Sequence, residues 1–290
     1  MRAYALILAS LIILAGFPAP VWCQTNTAVF PPYKAPRVDG HPDLNGVWQA
    51  MVTANWDLAN HEAQAGPHPE IMGAYGAGPA GMSIIVEGSE QGAIPYQPWA
   101  LKKKTENFEK RMTVDVSSDD KWHSVGDPEL KCYMPGVPRA TYMPFPFRIT
   151  QGSSPYILMA YEFASTTRVI RMNAKEEAPV NSWMGWSRGR WEGESLVVDV
   201  TGFREETWLS RAGDFHSDQM HVVERYTPLS PYHMLYEATI EDPKVYTRAW
   251  KISFPLYRRM EKNAEILEFK CVPFTEELVY GRFNRKEDSK

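Results

Sequence analysis

From Cys132 onward the chain keeps repeating one kind of segment, a short apolar or alternating run bounded by Gly, Pro, Asn or Asp. These runs are "FRITQG", "YILMAYEFA", "TRVIRMN", "SLVVDVTGF", "MHVVERYT", "MLYEATIED", "RAWKISFPL" and "EILEFKCVPF". A recurrence of roughly 12 to 20 residues, with no βα alternation, predicts a mostly-β fold: a single antiparallel β-barrel or β-sandwich. "LNGVWQAMV" adds a strand upstream. "PWALKKKTENFEKRM" is the best helix, with Pro98 in its first turn and Leu101, Phe108 and Met112 on one stripe. One or two short helices and an extended N-terminal arm complete the expected fold.

The N-terminus, "MRAYALILASLIILAGFPAPVWCQ", has one early Arg2, an apolar run from Tyr4 to Phe17, then Pro18 and Pro20. The run is short for a membrane span, and the prolines end it. It matches a secretory signal cleaved after Cys23, with a lipid anchor on Cys23 or a retained anchor as alternatives. The expected organisation is a signal over 1–23, an arm over 24–45, one β-rich domain over 46–283 and a polar tail over 284–290. A periplasmic or secreted location follows.

Export leaves Cys132 and Cys271, and an oxidising compartment predicts a disulfide between them. No C-x-x-C pattern points to zinc or redox chemistry. The 31 Lys+Arg and 35 Asp+Glu are interspersed without a basic block, which argues against nucleic acid as partner. No later run is long enough to span a membrane. Oligomeric state is not set by any of these features.

Two motifs fail on context. "GAGPAG" (residues 76–81) fits Gly-x-Gly-x-x-Gly, but the flanks lack the strand and helix that hold a pyrophosphate. "GWSRG" (residues 185–189) fits the nucleophile elbow, yet no strand-to-helix turn surrounds Ser187. It reads as a tight turn, with a serine nucleophile on another fold as the alternative.

Residues 211–226, "RAGDFHSDQMHVVERY", place His216, Asp218, His221 and Glu224 within nine positions. His216 and His221 would face opposite sides of a strand, or lie about 140° apart on a helix. Chelation by both therefore needs an irregular loop. His216-Ser217-Asp218 matches the His-x-carboxylate half of a metal triad, but no histidine on a separate later strand supplies the third ligand. No cofactor is predicted, and a divalent metal at His216/Asp218 is the remaining option. As a strand, "MHVVERYT" puts His221, Val223 and Arg225 on one face and Met220, Val222, Glu224 and Tyr226 on the other. With Asp199, Glu162, Glu237 and Glu241 on neighbouring segments, the His221 face either lines a polar acid–base pocket or carries solvated cross-strand pairs. Trp183, Trp186 and Trp191 crowd one turn, where they either contact a ligand or fill a core.

Two resemblances accompany these readings. Gly46-Val47-Trp48 resembles the first strand of lipocalin-like barrels. "GDPELKCYMPGVPRATYMPFPFRI", "WMGWSRGRWEGESLVVDVTGF", "TWLSRAGDFHSDQMHVVERYT" and "TIEDPKVYTRAWKISFPLYRR" resemble a family of exported bacterial proteins abundant in soil groups such as Acidobacteria. The likeness runs from about Gly92 to Gly281. "GRWEGESLVV" is similar to its Gly-x-Trp-Glu-Gly-Asp-Thr-Leu-Val-Val pattern, with Glu194-Ser195 in place of Asp-Thr. It implies export and a single β-rich domain. Arg139, Asp199, His216, Asp218, His221, Glu224, Glu241 and Asp242 fall in its signature segments, and it implies no catalytic role for them.

Three functions fit this sequence. The first is binding of a small, partly apolar molecule in a barrel mouth or inter-sheet cleft. Arg139, His221, Arg225 and Asp199 would provide polar contacts, Trp183, Trp186 and Trp191 aromatic ones, and residues 66–95 a lid. The second is a cofactor-free acid–base enzyme, a hydrolase, isomerase or lyase. His221 or His216 would be the base, Asp218 or Glu224 would orient it, and Arg225 would stabilise charge. The third is an envelope interaction protein.

Overall fold

The computed structural model describes residues 33–65, 77–90, 92–111, 119 and 126–275. The expected signal segment, residues 24–32 of the arm, residues 66–76 of the expected lid, Met112 and the C-terminal tail lie outside them. Ten strands form one sheet: β1 (Gly46–Ala50), β2 (Ile85–Glu87), β3 (Phe147–Thr150), β4 (Tyr156–Tyr161), β5 (Thr167–Met172), β6 (Trp186–Glu192), β7 (Ser195–Thr201), β8 (His221–Pro228), β9 (His233–Glu241) and β10 (Trp250–Arg258). Their order is β9-β8-β7-β6-β5-β4-β3-β1-β10, and β10 pairs back onto β9, closing a barrel of nine strands. β2 is the tenth. It joins β10 at Lys251 and Ile252, on the edge whose other end, Leu256 to Arg258, holds β1.

The antiparallel expectation needs one correction, and parity explains it. A closed ring with an odd number of strands cannot alternate direction throughout. One neighbouring pair must be parallel, and it is β5–β6. A parallel pair needs a crossover of about a dozen residues, which the segment from Asn173 to Gly185 provides.

The expected tight turn at "GWSRG" is also corrected, because it is the start of strand β6. Gly185, in a left-handed conformation (φ 66°), leads into the strand. Gly189 faces inward, where a Cβ would lie 2.6 Å from Ile170 Cγ2 and 2.7 Å from Met172 Sδ. The glycines mark close approach of β5 to β6 rather than a chain reversal. "EILEFKCVPF" is not a strand. Both edges of β10 are already occupied by β9 and by β1 and β2, so the segment that follows it cannot pair with it as the next strand of the meander. It runs instead as a strap outside the sheet, with Phe269 against Phe145 and Phe163.

Inward positions alternate along the strands as a half-buried sheet requires. Trp48, Phe147, Met159, Ile170, Val198, Val222, Tyr226, Tyr236, Phe254 and Leu256 fill the interior at no more than 3% exposure each. The lumen is thus a packed core, as expected for a barrel of this size. Arg258 lies 4.4 Å over the Trp48 ring and donates to the Asn45 carbonyl, joining the last strand to the first.

Helix α1 (Pro98–Lys110) begins at the expected proline but docks on a different stripe. Ala100 and Asn107 are buried, while Leu101 is 53% exposed. Asn107 donates to the Gly213 carbonyl at 3.1 Å, and this bond sets the helix about 100° from the orientation that apolar spacing predicts. Helix α2 (Arg139–Tyr142) is wholly buried beside β1 and closes the barrel end where β8 starts. Cys132 and Cys271 form the expected disulfide, with Cα atoms 5.7 Å apart.

Candidate active site

The residues gathered by sequence proximity do not form one site. Strand β8 has the expected phase, so His221, Val223 and Arg225 face outward while Val222, Glu224 and Tyr226 face into the lumen. Glu224 is fully buried in an ion pair with Arg168. Arg225 bonds Glu192 on the outer wall and is not a partner of His221. Asp218 is exposed and accepts from Lys244 at 2.8 Å.

His216 is a buried pin. Its Nε2 is 2.6 Å from Thr207 Oγ1 and its Nδ1 is 2.9 Å from the Ser217 carbonyl. The carbonyl can only accept, so Nδ1 carries the proton and Nε2 accepts from the threonine. Burial pushes this imidazole below its ordinary pKa. Both nitrogens are therefore occupied, and Asp218 points elsewhere. Among the described residues no three His, Cys, Asp or Glu side chains converge as a metal would require.

Arg139 is likewise internal. It binds Asp127 through two nitrogens at 2.9 Å, with further bonds to Glu129 and Asn55. Trp183 packs against Tyr133 beneath Arg204, Trp186 lies 3.5 Å under the Arg171 guanidinium, and Trp191 stacks on His41. Ser187 of the elbow-like motif is buried and bonded to Arg168 Nε, with no route to solvent.

One histidine–carboxylate–arginine cluster does form, on the outer face of β6, β7, β8 and β9. His221 Nε2 lies 3.0 Å from Asp199 Oδ2. Asp199 Oδ1 accepts from Arg188 at 2.7 Å. Glu241, paired with His221 in register, brings Oε2 within 3.5 Å of Nδ1. Burial opposes ionisation of Asp199, but the bonds from Arg188 and His221 outweigh it and hold the carboxyl below its usual pKa. The His221 side chain is 34% exposed, so it is reachable from solvent while its back is held.

Sequence reading found His221, Asp199 and Glu241 but missed Arg188. The signal was present: once residues 186–192 are recognised as a strand antiparallel to β7, Arg188 stands directly opposite Asp199. Arg168 was missed for a different reason, since a charged residue on the inward phase of a strand looks like a register error until its partner Glu224 is placed.

Fold and cluster together define a β-barrel carrying buried Arg–Asp and Arg–Glu ion pairs and an outward His–Asp–Arg arrangement. Compared with protein-family profiles, curated proteins and solved structures, the chain has no significant match in any of the three. Its chemistry is therefore read from its own residues.

Proposed function

We propose that this chain is an exported, cofactor-free acid–base enzyme, a hydrolase of a small carbonyl substrate, with its active site on the outer barrel wall. The observation that carries this reading is the 3.0 Å contact of His221 with an Asp199 already clamped by Arg188. A carboxylate on one imidazole nitrogen fixes the tautomer and stabilises the imidazolium that forms when the other nitrogen takes a proton. Nδ1 is that other nitrogen. It takes the proton of the attacking water as the water oxygen bonds to the carbonyl carbon. The remaining N–H groups of Arg188 meet the negative charge developing on the carbonyl oxygen, and the proton passes to the leaving group as its bond to that carbon breaks. Glu241, whose side chain is 55% exposed, swings away from Nδ1 as substrate arrives. Export rests on the N-terminal sequence; no helix among the described residues is long and apolar enough to cross a membrane.

The test is hydrolysis of p-nitrophenyl acetate by purified protein. The reading expects saturable turnover that falls about a hundredfold in His221→Ala, in line with the loss of a general base. A non-saturating rate that survives the substitution rejects it.

A further inference from the structure

At the barrel end away from His221, a cleft of about 260 Å³ opens over the lumen. Its floor is made by inward side chains at the strand ends: Trp191 of β6, Met172 of β5 and Ile157 of β4. One wall is the ribbon pairing Arg37–Val38 with His41–Pro42. Two contacts fasten that ribbon. His41 stacks on Trp191 with ring centroids 4.9 Å apart, and Arg37 pairs with Glu194 at 2.6 Å. Gln151 and Asn173 complete the rim.

The chemistry of the lining narrows its ligand. It holds no lysine or arginine, so it offers no permanent cation to an anionic ligand. It does hold two amides, a carboxylate on Asp39 and an imidazole beside an indole. Among the described residues, the Asn173 amide and the ring nitrogens of His41 make no hydrogen bond. Gln151 uses its Oε1 to accept from the Leu44 N–H at 3.0 Å, which leaves Nε2 free. Asp39 (φ 50°) and Asn173 (φ 57°) both adopt left-handed backbone at the rim, so their side chains are set by turn geometry rather than by packing. Paired acceptors and donors suit vicinal hydroxyls. The indole face is taken by His41 and the core, so Trp191 serves as apolar floor rather than as a stacking partner. The volume is just under the ~300 Å³ at which small-molecule pockets usually begin, so it accommodates a single ring.

We propose that this cleft is a binding site for one neutral sugar ring, seated beside the His41–Trp191 stack and hydrogen-bonded by Asn173, Gln151 and Asp39. It is independent of the proposed hydrolytic cluster. Trp186, whose register partner Thr201 ends β7 near His221, is five residues from Trp191, about 17 Å along an extended strand.

The experiment is calorimetric titration of the full protein with D-glucose, D-galactose, N-acetyl-D-glucosamine and cellobiose. The proposal expects saturable binding of at least one. Cellobiose binding as well as a monosaccharide identifies the terminal residue of a longer glycan as ligand, and binding of monosaccharides alone identifies free sugar. Asn173→Gly keeps the left-handed backbone and removes only the amide. It should weaken binding about tenfold, the size of effect expected for one lost ligand hydrogen bond, with near-ultraviolet circular dichroism unchanged. No saturable binding of any of the four sugars overturns the proposal. So does unchanged affinity in Asn173→Gly, or binding of tetramethylammonium in preference to every sugar.

Discussion

Arg168 and Glu224 meet inside the barrel with side-chain exposures of 1% and 0%. Arg168 gives both terminal nitrogens to the carboxylate and its Nε to Ser187 at 2.8 Å. Glu224 Oε1 also accepts from Tyr226 at 2.9 Å and Tyr236 at 2.8 Å. Burial and the charge of Glu224 raise both phenols well above their ordinary pKa, so they stay protonated as donors. Desolvating two charges costs several kcal/mol per ion, and only such full satisfaction offsets it.

Removing one partner should therefore be costly. Arg168→Met or Glu224→Leu alone leaves an uncompensated buried charge and should lower unfolding stability by about 3–5 kcal/mol. The double substitution Arg168→Met/Glu224→Leu should recover most of that loss. Urea unfolding of the three variants decides it, and single variants within about 1 kcal/mol of the parent would contradict the account.

Acid should weaken the protein in two stages. His216 is held neutral by burial, below its ordinary pKa of 6.5. The stability tied to that neutral form is complete above pH 6.5 and declines as pH falls below it. Burial pushes the Glu129 carboxyl upward, but Arg211, Arg139 and Asn55 outweigh this and bring it from 4.5 down to about 2. Its contribution, on the order of 3 kcal/mol, is full above pH 4.5 and is lost between there and about pH 2. Urea midpoints measured against pH should show both limbs, and Glu129→Gln should flatten the lower one.

The disulfide should matter beyond its own bond. Cys132 ends the 3-10 turn Pro128–Lys131, which carries Glu129 beside Arg139 and Arg211. Its partner is 139 residues away. Reduction, or Cys132→Ser with Cys271→Ser, should cost about 2–5 kcal/mol in urea unfolding under non-reducing conditions. Equal stability of the oxidised parent and the double variant would show that the cross-link contributes nothing to the fold.

How far the sequence speaks for itself varies along the chain. Period-two alternation made β8 legible to the residue, including which side His221 and Glu224 take, because a packed lumen enforces register. Strand β6 was hidden because its first two inward positions are Ser187 and Gly189, which fit against Arg168 and Ile170 rather than looking apolar. The strap after β10 reads as a strand, since local pattern carries no information about whether a sheet edge is still free. His216 and Asp218 are adjacent in sequence to the cluster and yet outside it, one pinned by Thr207 and the other by Lys244. Arg188 and Asp199 meet because two strands pair, which spacing alone does not reveal.

The most direct test of the central claim is a double-mutant cycle on His221 and Asp199, read as kcat/KM for p-nitrophenyl acetate. If the pair acts as one unit, His221→Ala and Asp199→Asn each remove most of the turnover, and the double variant is no slower than His221→Ala alone. Independent losses that multiply in the double variant, or turnover untouched by either substitution, would contradict a catalytic dyad on the barrel wall.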